Sequence, residues 1–350
     1  MTARRSLSIL LYGNFSPVHL GKFYQRAFEQ LKQRIIPLDT RDSPTYLTPW
    51  LKHRIGHRLT IRSLRLRQLG TYRWNRHVLS VARKERPDLI FILNGDLLMP
   101  STLNSMRAQD TRIFIFHADN PFPPNYANRP ETLPNALASD CFFIWSRHLV
   151  EQLQQLGVRR AEYLPFGWDS EIFPYFGLVA EPKYDVVFVG GWDKEREEFL
   201  TPLAEEFKLR IWGPSYWGNR TRLNSPLRKC WQGDAALGPE AAKILVNSKI
   251  VLNVVRQQNL PDGVIMRTFE VPGCGGFMLS TRTQGAVDLF PEDRAGAYFS
   301  DGEECVRQIK RFLVADQERQ RMAANAHVLV QQQHRYVDRA QRILNVWDEL

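Results

Sequence analysis

The chain has 350 residues, of which 43% are hydrophobic and 24% charged, a composition that excludes disordered and fibrous proteins. At about 100–200 residues per domain, this length predicts two domains. The formal net charge of +10 lies in the first half, because residues 1–180 contain 24 Lys and Arg against 14 Asp and Glu.

The cysteines are scattered, with neither a CxxC pair nor a histidine at metal-ligand spacing, so we expect reduced thiols and no disulfide framework or zinc site. They are Cys141, Cys230, Cys274 and Cys305. No apolar run approaches the ~20 residues needed to span a bilayer. We therefore expect a cytoplasmic protein, peripheral at most to the inner membrane face.

The first half alternates apolar runs with helical patterns. An apolar run over residues 6–12 ends at Gly13, and helical periodicity follows over 20–31, which predicts a strand, a glycine turn and a helix. Residues 44–84 predict one or two basic helices. Further strands, apolar on consecutive positions as in parallel sheets covered on both faces, are predicted at 89–93, 111–116 and 141–145.

The second half repeats this order. A segment with Pro174, Gly177 and Pro182 predicts a linker, after which a strand over 185–189 meets a new glycine turn. Further strands are predicted at 209–212, 250–254 and 276–280, and helices from about residue 317. The sequence therefore predicts an α/β fold with two Rossmann-like domains, 1–173 and 174–325, and a C-terminal helix, 326–350, that packs back on the first domain.

Ligands of open parallel sheets bind beyond the carboxyl ends of the strands, so the residues after each apolar run are candidates for a site. Gly190-Gly191 either lets a diphosphate approach the backbone at a helix N-terminus or forms a plain tight turn. The richest cluster follows at 262–280, where Asp262 and Glu270 flank Arg267. A carboxylate can accept hydrogen bonds from ribose hydroxyls, and an arginine matches a diphosphate in charge and geometry.

The segment 267–276, Arg-Thr-Phe-Glu-Val-Pro-Gly-Cys-Gly-Gly, resembles the signature of the spore-maturation (CgeB-type) glycosyltransferase-like proteins. These resemble in turn the large retaining GT-B family that includes sucrose and lipopolysaccharide glycosyltransferases. The resemblance covers roughly residues 160–340, through further segments at 163–173, 185–196, 242–253 and 334–339. It implies a GT-B fold, in which two Rossmann-like domains face a central cleft, and transfer of a sugar from a nucleotide-sugar donor.

The resemblance also implies roles for single residues around the donor sugar. Glu270 stands where the family binds the ribose hydroxyls. Asp262 replaces the first glutamate of the family's E-x7-E pair, with a shorter side chain, and Gly263 would donate a backbone N–H to the sugar.

The same resemblance assigns the diphosphate to Arg196 and Arg267, which would neutralise the leaving group. The lysine that usually accompanies the arginine is not clearly placed in this sequence. The nucleotide-binding set is completed by Gly190, Gly191 and Gly213.

In the first half, residues 116–122, Phe-His-Ala-Asp-Asn-Pro-Phe, resemble a family loop that follows a central strand. His117 and Asp119 would contact the donor sugar or deprotonate the acceptor, since a base tuned towards neutrality suits that step. The alternative is a structural, hydrogen-bonded histidine. His19, after the first glycine loop, is a competing base; it would suit an inverting mechanism, whereas the resemblance favours a retaining one.

The basic stretch 52–86 has three interpretations. It is a solvated surface, or it binds an anionic or membrane-borne acceptor, each basic residue contributing ~1 kcal/mol at such a surface. It could also bind nucleic acid through clustered arginines and aromatic rings, but no nucleic-acid motif supports this interpretation and we rank it last.

The resemblance therefore implies a hexosyltransferase-type enzyme that uses a nucleoside-diphosphate-sugar, acts with retention and needs no cofactor or metal. No D-x-D pair stands at a strand end. Two alternatives stay open. One is a sugar-nucleotide epimerase of the same fold, and the other is a non-catalytic module that binds nucleotides or membranes.

Overall fold

A computed structural model describes residues 5–43, 64–107, 111–123, 128–234, 236–259 and 261–350. The chain divides into two compact units. The N-terminal unit comprises Met1–Leu164 with Ala340–Leu350, and the C-terminal unit comprises Pro165–Arg339. The sequence-based domain bounds at residues 173 and 325 stay predictions.

The N-terminal unit is built on a six-stranded sheet in the order β2-β1-β3-β4-β5-β6, in which every neighbouring pair is parallel. Its strands are β1 (Ser8–Gly13), β2 (Arg34–Asp39), β3 (Leu89–Leu93), β4 (Arg112–His117), β5 (Cys141–Ile144) and β6 (Ala161–Tyr163). Its helices are α1 (Leu20–Gln30), α2 (Leu64–Glu85), α3 (Pro100–Arg107), α4 (Thr132–Ala138) and α5 (Arg147–Gln155).

Consecutive apolar residues make β3 a central strand. All five of its side chains are buried, which requires a helix layer on each face of the sheet. On one face α1 brings Tyr24 and Phe28 against Phe91, with ring centroids 5.0 and 5.7 Å apart. Each such side chain contributes about 1.5–3 kcal/mol when it is fully buried. The predicted parallel α/β architecture is confirmed here.

The helix α2 occupies the second half of the predicted basic region. Its buried side includes Trp74, Val78 and Ala82, whereas Arg76 and Arg83 are exposed. The other part of the prediction, residues 44–63, lies outside the described residues.

The C-terminal unit contains a five-stranded parallel sheet in the order β11-β10-β9-β7-β8. Its strands are β7 (Tyr184–Val189), β8 (Leu209–Trp212), β9 (Ser248–Asn253), β10 (Met278–Thr281) and β11 (Ala297–Phe299). Its helices are α6 (Lys194–Glu206), α7 (Tyr216–Asn219), α8 (Leu227–Cys230), α9 (Pro239–Val246), α10 (Arg267–Cys274), α11 (Gln284–Leu289), α12 (Gly302–Val314) and α13 (Asp316–Gln333).

The last helix is α14 (Tyr336–Asp348), which belongs to the N-terminal unit from Ala340 onwards. Arg342 donates to the Glu162 carboxylate at 2.9 Å, and the Trp347 indole donates to the Asp88 carbonyl at 3.3 Å. In the described part of the chain, no helix combines the length and apolar character that a bilayer-spanning segment needs.

We expect Tyr12→Phe to destabilise the N-terminal unit by about 1–3 kcal/mol. The buried Tyr12 hydroxyl donates to the Asp96 carbonyl and accepts from the Trp74 indole N–H at 2.9 Å, so its loss leaves two buried groups unsatisfied. Urea unfolding measures the effect. The control is Tyr72→Phe, because Tyr72 is 53% exposed. Equal midpoints for the two variants would contradict the prediction.

Candidate functional site

The candidate site of the C-terminal unit lies at the carboxyl edge of its sheet, between β7 and β9. These strands are neighbours, but the chain leaves β7 towards β8 on one side and leaves β9 towards β10 on the other. The order of the sheet therefore reverses between them, and open parallel sheets bind ligands in the crevice at such a point. The loops that border it are residues 190–193 and residues 254–256.

Arg196 joins these two loops. It lies in the first turn of α6, where the Asp193 side chain caps the helix by accepting from the Arg196 backbone N–H at 2.9 Å. The Arg196 guanidinium donates to the carbonyls of Gly191 and Val254, both at 3.1 Å. Its side chain is only 11% exposed. A mostly buried cation is thus held at the crevice.

The three glycines of the predicted nucleotide-binding set differ in how closely they are packed. A Cβ on Gly213 would lie 2.2 Å from the Gly190 carbonyl oxygen, and one on Gly190 would lie 2.8 Å from the Phe188 ring, so packing accounts for both. A Cβ on Gly191 would meet no heavy atom of the described residues within 4 Å. Gly191 is therefore the glycine whose bare backbone a ligand can approach.

Arg267 and Glu270 form an ion pair in the first turn of α10, with 2.8 Å between Nη1 and Oε2. Their side chains are 18% and 6% exposed. Burial raises the pKa of the Glu270 carboxyl, and the neighbouring Arg267 charge partly opposes this. A buried carboxyl with a perturbed pKa at a sheet edge is typical of a functional site.

A short polar network ties this helix to the end of β9. The Asn253 side-chain amide donates to the Thr268 hydroxyl at 3.3 Å and to the Ser280 hydroxyl at 3.0 Å. Asn253 is the last residue of β9 and precedes Val254, the carbonyl that Arg196 contacts. The predicted residues Arg196, Arg267 and Glu270 therefore share one edge of the sheet.

Asp262 and Gly263 lie in the turn before α10. Gly263 is buried, and a Cβ there would lie 2.2 Å from the Asn259 carbonyl oxygen. Its own carbonyl accepts from the Thr283 hydroxyl at 2.8 Å. Asp262 is partly exposed, and its carbonyl oxygen would be 2.2 Å from a Cβ on Gly285. Close packing against the start of α11 therefore determines the backbone of this turn.

In the N-terminal unit, His117 is the last residue of β4 and is 1% exposed. Its Nε2 is 3.2 Å from the Asn128 side-chain oxygen. Burial is the main cause that lowers the pKa of His117, so the ring is neutral at neutral pH. The negative charges of Asp119 and Asp96 raise the pKa of His117 and so oppose this shift. Both carboxylates therefore act on the His117 ring.

Asp96 was missed in the sequence interpretation, although Asn94-Gly95-Asp96 directly follows β3. Burial raises the pKa of the Asp96 carboxyl, while Arg129 and His117 lower it and Asp119 raises it further. The signal that could have found it is its position just after the carboxyl end of a buried strand, where ligands of open parallel sheets bind.

The loop that carries Asp96 is held in an uncommon backbone conformation. Asn94, Gly95 and Leu97 all have positive φ, at 63°, 80° and 68°. The loop is restrained by the Tyr12 hydroxyl on the Asp96 carbonyl and by the Asn75 amide on the Leu97 carbonyl at 2.7 Å. Strained backbone that is restrained in this way concentrates at functional sites.

His19 has different charged neighbours from His117. It is the N-cap residue of α1 without a capping side-chain hydrogen bond. Burial and the Arg41 charge lower the pKa of His19, and Asp39 opposes them. Asp119 and Asp96 therefore form one electrostatic cluster with His117, whereas His19 responds to Arg41 and Asp39.

Residues 195–345 match the family model described as "Glycosyl transferase-like". No curated protein matches the chain. Among solved structures, sucrose-phosphate synthase from Thermosynechococcus elongatus is 14% identical with a TM-score of 0.68, and the match covers 99% of each chain. A glycosyltransferase from Rickettsia africae is 10% identical with a TM-score of 0.68 and the same coverage.

A third similar structure is Anabaena HepE in complex with UDP-glucose, which is 13% identical with a TM-score of 0.67. That match covers 98% of this chain and 100% of HepE. At these identities the likeness shows the fold, which is the GT-B fold with two Rossmann-like units. The sequence-predicted fold class is confirmed.

We expect Glu270→Gln to change the pH dependence of stability. Because burial raises the pKa of Glu270 above its usual 4.5, the folded wild type binds more protons than the unfolded chain above that pH. Its free energy of unfolding therefore falls as pH rises from 4.5 through the raised folded pKa, and the glutamine variant lacks this contribution.

Urea unfolding of both proteins at several pH values between about 5 and 8 measures this difference. The stability of the variant relative to wild type should increase with pH. The matched control is Glu303→Gln, because the Glu303 side chain is 93% exposed. A pH-independent difference for Glu270→Gln would refute the assignment of a raised pKa.

Proposed function

We propose that this protein is a glycosyltransferase that transfers a hexose from a nucleoside-diphosphate-sugar to an acceptor, with retention and without a metal ion. The observation that supports it most is the shared sheet edge that carries Arg196, Arg267 and the buried Glu270. All three lie within residues 195–345, the segment that matches the glycosyl transferase-like model. The similarity of residues 267–276 to CgeB-type proteins supports a narrower assignment to that group.

The donor roles follow from charge and burial. Glu270 accepts hydrogen bonds from the ribose hydroxyls, and Asp262 lies near the sugar with Gly263. Arg196 and Arg267 meet the charge that develops on the diphosphate leaving group, and the partly exposed backbone at Gly191 lets the phosphates approach. Donors held in advance at the position of the developing charge stabilise a transition state strongly, because they need no reorganisation during reaction.

The cluster of His117, Asp119 and Asp96 supplies the polar groups of the N-terminal unit. A neutral His117 can accept a hydrogen bond or a proton from a sugar hydroxyl, and its lowered pKa keeps it in that form at neutral pH. Asp119 contacts the same sugar or the acceptor. His19 is the second candidate base, in its separate environment beside Arg41 and Asp39.

The acceptor is anionic or borne on an anionic membrane, and α2 provides the contact surface on the cytoplasmic face. Arg76, Arg83 and Lys84 are exposed and lie on one side of the helix, since they are separated by seven and eight positions. Tyr72 and Leu69, which are 53% and 41% exposed, precede Arg76 by four and seven positions and therefore lie on the same side of the helix. A basic helical face with exposed apolar residues fits the interface of an anionic bilayer.

Donor binding is measured by calorimetry with UDP, GDP, ADP, dTDP and CMP and their common sugars. We expect saturable binding of one nucleotide family in the wild type and its loss in Glu270→Ala. The control is Glu303→Ala, at an exposed position. If none of these nucleotides binds the wild type, the proposed function is wrong. Conversion of a bound nucleotide-sugar to its epimer without any acceptor would favour the epimerase alternative instead.

Membrane docking is measured by flotation with vesicles that contain anionic lipid. We expect neutralisation of Arg76, Arg83 and Lys84 to Gln to weaken vesicle binding by roughly 100-fold, at about 1 kcal/mol for each charge. The matched control removes three exposed charges from the C-terminal unit, at Lys208, Arg210 and Lys243. If both triple variants lose binding equally, net charge alone drives it and α2 is not the docking surface.

A further inference from the structure

The C-terminal unit presents a second basic residue at the crevice between β7 and β9 that the sequence interpretation did not include. Arg256 follows β9 by three positions, and its Nε donates to the Asp193 carboxylate oxygen Oδ2 at 2.9 Å. The side chains of Arg256 and Asp193 are 23% and 25% exposed. Both are therefore accessible to a molecule in solution, unlike a pair enclosed in the core.

Two arginines converge on this one carboxylate oxygen. Asp193 Oδ2 is 2.9 Å from Arg256 Nε and 3.5 Å from Arg196 Nη1. The other oxygen, Oδ1, accepts the backbone N–H of Arg196 and so caps α6. Asp193 thus uses one carboxylate oxygen to cap α6 and the other to contact the two guanidinium groups.

This arrangement has an electrostatic consequence. Two guanidinium groups that approach within a few ångströms repel each other unless an anion lies between them. Asp193 supplies one negative charge, and a diphosphate supplies more charge and more acceptor oxygens in the fork geometry that arginine prefers. The start of α6, a helix of 13 residues, adds a favourable dipole for an anion at the same place.

We propose that Arg256 binds the diphosphate of the donor together with Arg196, and that the diphosphate displaces Asp193 from both arginines. This inference rests on the proposed glycosyltransferase function and adds a phosphate-binding residue to it. Before the donor binds, Asp193 neutralises the two arginines. After it binds, Asp193 keeps its capping hydrogen bond to α6.

A purely structural role for Arg256 makes a different prediction. In that case Arg256 only connects the loop after β9 to the start of α6, as the nearby contact from the Gln257 backbone N–H to the Glu195 carboxylate also does at 3.2 Å. Removing it would then lower stability without changing the preference for phosphate. The two roles are separated by comparing ligands that differ only in their phosphates.

The test measures the affinity of the full chain for the nucleoside diphosphate that it binds best and for the corresponding nucleoside, by calorimetry. We expect Arg256→Gln to weaken diphosphate binding by roughly 10–100-fold, the range for loss of one charge-assisted contact, and nucleoside binding by less than about 2-fold. Arg256→Lys keeps the charge without the fork and should fall between Gln and wild type. The matched control is Lys249→Gln, which breaks the 2.9 Å ion pair with Asp185 at the opposite edge of the sheet.

Asp193→Asn tests the displacement itself. Asparagine also caps helices well, so α6 is preserved while the competing charge is removed. We expect diphosphate binding to tighten by about 3–10-fold and nucleoside binding to stay the same, since only the competition with phosphate changes. Unchanged or weaker diphosphate binding in Asp193→Asn would overturn the displacement.

The outcomes separate this inference from the proposed function. If wild type binds a nucleoside diphosphate and Arg256→Gln and Arg256→Lys bind it equally well, Arg256 has only a structural role and the inference alone fails. The same conclusion follows if Arg256→Gln weakens diphosphate and nucleoside equally. If Arg256→Gln does not fold, Arg256→Lys decides by the same comparison. If wild type binds no nucleotide at all, the proposed function and this inference fail together.

Discussion

The contact on which the C-terminal site depends is the bridge from the Arg196 guanidinium to the carbonyls of Gly191 and Val254. These carbonyls follow β7 and β9, the two strands between which the sheet order reverses. Diverging loops at such a point would otherwise be free to separate. One arginine satisfies two backbone acceptors there and places a positive charge at the crevice, so the same contact serves both the fold and the binding of an anion.

Both units also bury ionisable groups near the carboxyl edges of their sheets. Glu270, Asp96 and His117 are each shifted by desolvation towards their neutral forms, and each lies at the carboxyl end of a parallel strand or in the helix that follows. Proteins retain such groups against the cost of burying charge where they bind or react. The two units therefore contain comparable clusters, one dominated by arginine–carboxylate pairs and one by a histidine with two carboxylates.

Much of the fold was accessible from the sequence, which also pointed to candidate site residues. Consecutive apolar runs at 89–93 and 185–189 predicted buried parallel strands, and the resemblance to GT-B glycosyltransferases pointed to Arg196, Arg267, Glu270 and His117. The sequence did not distinguish Gly191 from Gly190 and Gly213. Whether a position needs glycine for packing depends on which atoms a Cβ would contact there, and only the structure shows those atoms. It also did not find Arg256 or Asp96. A charged residue after a strand is common, and only its neighbours in the folded structure distinguish a site residue from an ordinary surface residue.

The amino-acid sequence by itself determined the order of strands and helices, because hydrophobic periodicity and glycine turns act over short distances along the chain. It also determined which residue types stand at the strand ends. Only the tertiary structure decided which of these residues meet, such as Asp193 with Arg256 and Asn253 with Thr268. The physical reason is that such contacts join different segments of the chain, 63 positions apart for Asp193 and Arg256, and packing of the whole sheet decides that β7 and β9 are neighbours.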